Sequence, residues 1–210
     1  EMAADTSTIS GEFEKQYDRQ IRLWGLAAQQ RMANAKVLVV GLRGLAAEIS
    51  KNLVLAGIGK VVLMDDEIVQ EEDLGCQYFV LDEHIGKLSR ALASKPQLQE
   101  LNPLANVSVE EGKAEDLAED RVKGFDVVCV TGASWSTQLR LDDICRKNGI
   151  AFFAADSHGL FASFFVDLKS HSYSVDTKQK ADAATQKSTS EAGILEFPSL
   201  REALGAGWAG

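Results

Sequence analysis

The chain has 210 residues, 45% of them hydrophobic, and a formal net charge of -9. This length and apolar content suit one globular domain, and the acidic balance argues against nucleic acid and anionic membrane surfaces, since both are bound through basic patches. No apolar run approaches the roughly 18 residues of a membrane span, and the N-terminus lacks the features of a signal peptide. We therefore expect an intracellular chain whose partners are proteins or small molecules.

The first elements in chain order are helical. Residues 12–24 predict an amphipathic helix, and residues 26–34 predict a second, shorter one. The apolar stripe of the first helix consists of Phe13, Tyr17, Ile21 and Trp24.

Strands and helices then alternate. Most strands are continuous apolar runs, as is typical of parallel strands covered on both faces. The predicted strands lie at 36–41, 60–66, 106–111, 125–131 and 150–156. The predicted helices lie at 44–56, at 86–101 with a bend or break at Pro96, and at 134–148 with Gly149 as its C-terminal cap. This alternation predicts an α/β fold with a doubly wound, mostly parallel, Rossmann-like sheet.

The pattern changes after the fifth strand. Residues 160–168 and 170–175 predict a terminal pair of antiparallel strands, and we expect one domain over 12–175. The segment 176–193 is polar and nearly free of large apolar residues, which favours a flexible linker. Residues 194–210 are expected to begin a C-terminal extension that is truncated in this chain.

The turn after the first strand carries part of a nucleotide-binding pattern. A dinucleotide fingerprint has three glycines in the spacing G-x-G-x-x-G. Here Gly41 and Gly44 lie three positions apart, Arg43 stands between them, and Ala46 replaces the last glycine. Asp65 follows the second strand near the spacing of a ribose-binding acid, but an aspartate at a strand end can equally cap a loop. The residues alone leave both interpretations open.

Cysteine and histidine offer little further chemistry. Cys129 and Cys145 lie in apolar segments and are expected in the core, whereas Cys76 is expected in a loop without a neighbouring base. His84 and His158 are isolated, so we predict no metal site. A nucleotide-dependent oxidoreductase would need a Ser/Tyr/Lys or His/Asp centre downstream, and the sequence offers none. A pure protein-interaction module needs no such centre.

Four segments of the chain together resemble one superfamily, the ThiF/MoeB-like adenylating enzymes. They are QYDRQIRLWG (16–25), VLVVGLRGLAAEISKNLVLAGIGKVVLMDD (37–66), IGKLSRA (85–91) and LNP (101–103). The superfamily includes enzymes of molybdopterin and thiamine biosynthesis and the activating enzymes of ubiquitin-like proteins. Three later segments are most similar to the small subunits of SUMO-activating enzymes: FDVVCVTGAS (125–134), ICRKNGIAFFAADSHGLFASFFVDL (144–168) and FPSLREALGAGW (197–208). The inactive half of the ubiquitin-activating enzyme is also similar, especially around ADSHGLF (155–161). The inactive N-terminal half of a ubiquitin- or NEDD8-activating enzyme is the alternative.

Active members of the superfamily carry three features that are altered here. An Asn-Leu-x-Arg segment reads Asp73-Leu74-Gly75-Cys76, which exchanges an amide for a carboxylate and an arginine for a thiol. Ser89 replaces a lysine, and Ala133 replaces a metal-binding aspartate. We expect Asp73 to add negative charge that repels a triphosphate, and the missing cations to weaken its binding further.

The resemblance implies a degenerate site in this chain. Gly41, Gly44 and Asp65 are then vestigial positions of the nucleotide turn, and this chain is expected to bind neither nucleotide nor metal. ATP and Mg²⁺ would belong to a partner, the large catalytic subunit of a heterodimeric enzyme that forms AMP. This chain would interact with SUMO only indirectly. The expected compartments are the nucleus and also the cytoplasm.

The resemblance also implies a role for Arg19 as a catalytic residue acting in trans on the ATP of the partner subunit. On its helix Arg19 points away from the apolar stripe, and no carboxylate lies three or four positions from it. Arg22, by contrast, has Asp18 four positions before it and is expected to form an ordinary surface pair. An unpaired guanidinium suits contact with a γ-phosphate.

Overall fold

The computed structural model describes residues 11–178 and 188–207. The helices of this part are α1 (Gly11–Trp24), α2 (Leu26–Asn34), α3 (Gly44–Ala56), α4 (Glu71–Cys76), α5 (Arg90–Leu101), α6 (Glu119–Val122), α7 (Trp135–Asn148) and α8 (Leu200–Gly205). The strands are β1 (Lys36–Val40), β2 (Lys60–Met64), β3 (Asn106–Val109), β4 (Val127–Thr131), β5 (Ala151–His158), β6 (Phe161–Asp167), β7 (Ser170–Lys178) and β8 (Ser188–Glu196).

Six strands form one sheet in the order β3-β2-β1-β4-β5-β6. The first five are parallel, and β6 is antiparallel to β5. The strand order reverses between β1 and β4, the position where open α/β sheets form a crevice at the carboxyl ends of their strands. The prediction of a doubly wound, mostly parallel sheet is confirmed.

Both faces of the sheet are covered by helices. Side chains alternate along β1, so Val37 and Val39 point to one apolar layer and Leu38 and Val40 to the other. The first layer packs the sheet against α3 and α5, and the second packs it against α6 and α7. Double coverage explains why these strands are apolar throughout. No helix in the described ranges combines the length and apolar character that crossing a bilayer requires.

The helix α5 differs from its prediction in where it begins and in how it accommodates Pro96. It begins at Arg90 because Ser89 caps it, accepting a hydrogen bond from the Leu92 N–H at 3.3 Å. Pro96, predicted to bend or break the helix, does not break it, since the helix runs through it to Leu101. The ring removes one donor, but the buried face on both sides of it packs against the core. Gly149 ends α7 in the left-handed conformation, as predicted.

The terminal antiparallel pair exists, but its strands differ from those predicted. Residue Gly159 has a φ of 62° and turns the chain directly back, so β6 pairs with β5. β7 pairs with β8 in a separate two-stranded sheet. These strands enter the segment predicted as a linker, since 176–178 and 188–193 are paired. The remaining linker residues, 179–187, and the end of the predicted extension, 208–210, lie outside the described residues.

Candidate functional site

A cleft of about 750 Å³ lies at the carboxyl ends of β1, β2, β4 and β5. Its floor is the turn that joins β1 to α3, and its walls come from the segments after β2, β3, β4 and β5. This is the crevice that the reversal of strand order creates. The structure therefore brings together the three predicted positions of the nucleotide turn, Gly41, Gly44 and Asp65.

Packing within the fold requires both glycines of this turn. Gly41 has a φ of 83°, and a Cβ there would lie 2.4 Å from the Thr131 carbonyl oxygen. A Cβ on Gly44 would lie 2.6 Å from the Cys76 carbonyl oxygen. Contacts with neighbouring backbone are thus enough to require glycine at both positions. A bound pyrophosphate is not needed to explain them. The glycines follow from the fold, whether or not a ligand binds.

Asp65 is engaged with the backbone of its own cleft. One carboxylate oxygen accepts a hydrogen bond from the Leu42 N–H at 2.7 Å, and the other accepts one from the Glu67 N–H at 3.0 Å. Burial raises the pKa of Asp65, and these hydrogen bonds together with Arg90 oppose that rise. The aspartate therefore fixes the glycine turn to the end of β2, which is the loop-capping interpretation that the sequence left open.

Asp73 does not have the role predicted from the sequence. It is buried, and both of its oxygens accept hydrogen bonds from the Nε of Arg90, at 2.9 Å. It also caps α4 by accepting a hydrogen bond from the Gln70 N–H at 2.9 Å. The expectation that Asp73 adds an uncompensated charge to the cleft is therefore wrong, because Arg90 neutralises it. The sequence showed both residues but gave no sign that they pair.

The side chains of the cleft fit a nucleoside triphosphate poorly. Five carboxylates line it: Asp65, Asp66, Glu67, Glu115 and Asp156. Three cations face them: Arg43, Arg90 and Lys113. One of these cations, Arg90, is already paired with Asp73, so negative charge dominates the cleft. A triphosphate needs the opposite balance.

One carboxylate of the cleft is already engaged in hydrogen bonds. Asp156, which sequence reasoning missed, is the carboxylate beside the altered turn after β4. Its oxygens accept hydrogen bonds from the Gly132 N–H at 2.6 Å and the Gln138 side chain at 2.8 Å. Asp156 could have been found from its place at the end of a predicted strand. In the part of the chain that the structure describes, no group of three acidic, histidine or cysteine side chains could hold a metal ion.

Two of the three cysteines lie where they were predicted, and the prediction of a loop for Cys76 is wrong. Cys129 and Cys145 are buried in the core, and burial raises their pKa to about 11 and about 12 respectively. Cys76 is exposed, but it ends α4 instead of lying in a loop, and it borders the cleft. His84 accepts a hydrogen bond from the Leu81 N–H, and His158 is exposed at the rim of the cleft.

Arg19 lies apart from this cleft, on the exposed face of α1. Its guanidinium has neither a hydrogen bond nor an ion pair to any side chain in residues 11–178 and 188–207. Arg22, on the same helix, lies 3.1 Å from Asp18 and forms the predicted surface pair. Among the described residues, Arg19 and Lys15 of this helix are free to bind another group, whereas Arg22 is already paired.

Known proteins resemble the chain over most of its length. It is 43% identical to SUMO-activating enzyme subunit 1 of Homo sapiens over 195 residues, which are 93% of this chain and 54% of that protein. It is 39% identical to the Rattus norvegicus protein of the same name, over 97% of this chain and 56% of the relative. SUMO-activating enzyme subunit 1B-1 of Arabidopsis thaliana is 36% identical, over 91% of this chain and 58% of the relative.

The chain therefore spans about half the length of the curated relatives it matches. The model of the ThiF family matches residues 17–198, which include the whole six-stranded sheet, the cleft and Arg19. The glycine turn, the strand order and the matched residues agree, and the chain belongs to the ThiF family.

Proposed function

We propose that this chain is the small, adenylation-inactive subunit of a heterodimeric SUMO-activating enzyme. The large partner subunit binds ATP and Mg²⁺, attaches AMP to the C-terminal carboxylate of SUMO and forms the thioester. The complex works in the nucleus and also in the cytoplasm. The observation that carries the proposal is the similarity to SUMO-activating enzyme subunit 1 of an animal and a plant over more than nine tenths of this chain.

Arg19 is the residue that this subunit contributes to the reaction. Charge develops on the phosphates as SUMO attacks the α-phosphorus of ATP and pyrophosphate leaves, and a guanidinium supplied from outside the site stabilises that charge. The exposed position of Arg19 and its lack of a partner among the described side chains support this role. An arginine already paired, such as Arg22, would first have to give up its carboxylate.

The chain's own cleft contributes no adenylation in this proposal. Its excess of carboxylates and the pairing of Arg90 with Asp73 oppose a triphosphate. The turn after β4 carries Ala133 where active members of the family carry a metal-binding aspartate, so it offers no carboxylate to Mg²⁺. Catalysis therefore belongs to the partner, and this subunit acts as an accessory.

A ubiquitin- or NEDD8-activating enzyme is the alternative within the same family. The names of the relatives favour SUMO over ubiquitin and NEDD8 as the modifier. A nucleotide-dependent oxidoreductase is disfavoured because Asp65, its expected ribose ligand, is occupied by two backbone N–H groups. Comparing SUMO, ubiquitin and NEDD8 as substrates of the assembled complex shows which of these three modifiers it activates.

ATP–pyrophosphate exchange with SUMO tests the proposal directly. The exchange rate is measured with the large subunit alone, with this chain added, and with its Arg19→Ala variant added. We expect exchange to require this subunit and to fall roughly 10³-fold in the variant, the scale known for an arginine supplied in trans. Size-exclusion chromatography establishes that both forms bind the large subunit equally.

The matched control is Arg22→Ala, which removes a second guanidinium from the same helix. Because Arg22 is paired with Asp18 at the surface, its loss should leave exchange unchanged. If Arg19→Ala binds the large subunit and supports full exchange, the subunit is only a scaffold. If exchange with ubiquitin exceeds that with SUMO, the modifier is wrong.

A further inference from the structure

Asn102, directly after α5, lies at the centre of a buried hydrogen-bond network. It is completely buried, and its side-chain amide donates to the Tyr17 hydroxyl at 2.7 Å and to the Val54 carbonyl at 2.8 Å. Its side-chain oxygen accepts from the Gln16 amide at 2.9 Å and from the Leu104 N–H at 3.1 Å. All four hydrogen-bonding positions of this amide are therefore used.

Two of these four bonds reach consecutive residues of α1. Gln16 and Tyr17 are joined to the body of the domain by one amide group, across more than 80 residues of sequence. The ring of Tyr17 is held as well, because a Cβ on Gly57 would lie only 2.6 Å from it. The aromatic ring and its hydroxyl thus fix one point of α1 against the end of α3.

The backbone of α1 bends at this fixed point. Tyr17 has a φ of -104° and a ψ of 15°, outside the helical region, so α1 consists of two helical pieces that meet there. Arg19 lies two residues beyond the bend, in the second piece. The direction in which its side chain leaves the surface is therefore set by how Tyr17 is held.

The far end of the second piece is fixed separately. The indole N–H of Trp24 donates to the Gln29 side chain at 2.9 Å, and Gln29 donates to the Ala56 carbonyl at 3.0 Å. Ala56 is the last residue of α3, next to the glycine on which Tyr17 packs. Arg19 is thus carried by a short helical piece whose two ends are both anchored to the end of α3.

We propose that Asn102 and Tyr17 are positioning residues for Arg19. They aim its guanidinium at the partner's ATP by holding the bend of α1. This inference rests on the proposed function for its catalytic meaning, but the anchoring itself can be measured without catalysis. Because a displacement of about 1 Å can cost as much as 100-fold in rate, loosening the bend should lower turnover while leaving Arg19 in place.

Tyr17→Phe removes the hydroxyl and keeps the ring that packs on Gly57. In the full complex we expect kcat of pyrophosphate exchange to fall about tenfold, with KM for SUMO unchanged. Gln16→Ala is a second variant at an exposed position, which removes the other bond between α1 and Asn102 without touching the core. Tyr78→Phe removes the hydroxyl of an exposed tyrosine far along the chain and serves as the control.

The decisive measurement is Tyr17→Phe in the Arg19→Ala background. If Tyr17 acts through Arg19, the hydroxyl has no further effect on exchange once Arg19 is gone. An equal loss in both backgrounds would make Tyr17 merely structural and overturn the inference. If Arg19→Ala alone has no effect, the proposed function fails instead, and the two failures are distinguishable.

Hydrogen exchange gives a readout independent of activity. The amides of residues 18–24 should exchange faster in Tyr17→Phe and Gln16→Ala than in the unmodified protein, while those of α3 and α7 stay unchanged. Unchanged protection of 18–24 in both variants would overturn the anchoring itself.

Discussion

The Nε of Arg90 lies 2.9 Å from both carboxylate oxygens of Asp73, and both side chains are almost fully buried. A guanidinium nitrogen of Arg90 also lies 3.6 Å from Asp65, which caps the glycine turn. One arginine therefore links α4, the start of α5 and the end of β2. This link lies at the wall of the cleft, and it holds these three elements together.

Asp73→Ala should destabilise the chain strongly. It leaves Arg90 buried without its hydrogen-bonded partner and with only more distant counter-charges, Asp65 and Glu67. Breaking a buried pair in this way costs about 3 to 5 kcal/mol. Urea unfolding followed by circular dichroism measures the change. Glu72→Ala, at the exposed neighbouring position on α4, should shift the free energy of unfolding by less than about 0.5 kcal/mol.

The double variant Asp73→Ala/Arg90→Met should recover part of that loss, because no unpaired charge stays buried. Losses that simply add in the double variant would show that the two residues stabilise the fold independently.

Much of the fold could be predicted because periodicity and helix caps are local signals. Residues 44–56 formed a helix with the predicted bounds, since its stripe and the glycine after it are both visible in the sequence. The parallel sheet followed from continuous apolar runs, which need cover on both faces. The exposure of Arg19 followed from its angle to the stripe on one helix.

Relationships between distant residues could not be predicted in the same way. Asp73 and Arg90 are separated by 17 residues, and no pattern shows that their side chains meet. The pairing of β6 with β5 depended on the conformation of Gly159, and a strand's composition does not name its partner. Tyr17, where α1 bends, is hydrogen-bonded to Asn102, 85 residues away.

Gly44→Ala should destabilise the cleft turn even without any ligand. The new Cβ would meet the Cys76 carbonyl oxygen at 2.6 Å, and such overpacking costs about 1 to 3 kcal/mol. Gly75→Ala is the matched control, because its Cβ would meet nothing within 4 Å and alanine favours the helix α4 by about 0.5 to 1 kcal/mol. Equal melting temperatures for the two variants would contradict a packing requirement at Gly44.

The isolated chain should not retain Mg²⁺–ATP. Its cleft holds five carboxylates against three cations, and Arg90 is already paired. Isothermal titration calorimetry should therefore give a Kd weaker than about 1 mM, which corresponds to less than about 4 kcal/mol of binding. The large subunit titrated under the same conditions is the positive control. Micromolar binding by this chain alone would show that the cleft still works as a nucleotide site.

Asp142 and Asp167 are two neighbouring buried carboxylates, where α7 and β6 meet the start of α8. Asp167 accepts hydrogen bonds from Arg146 at 2.7 and 2.8 Å, and Asp142 accepts one from the Leu200 N–H at 2.7 Å. The other oxygen of Asp142 has no donor among the described residues. Burial, and then the neighbouring Asp167, raises the pKa of Asp142 to about 6. When Asp142 keeps its proton, this oxygen can donate a hydrogen bond to the Asp167 carboxylate.

This pair should make stability fall as the pH rises through 6. The folded pKa of about 6 lies above the ordinary value of 3.8, so between these values the folded chain keeps a proton that the unfolded chain has released. The contribution of this proton to the free energy of unfolding is complete below about pH 4 and is lost above pH 6.

Asp142→Asn carries a donor and an acceptor at every pH, and it should raise the free energy of unfolding at pH 7.5 by about 1 to 2 kcal/mol. Urea unfolding at pH 5 and pH 7.5 tests this, because the variant's advantage should shrink at the lower pH. Asp143→Asn, one position along on the exposed side of α7, controls for the loss of one charge. An advantage of Asp142→Asn that is the same at both pH values would mean that Asp142 is already ionised in the folded chain.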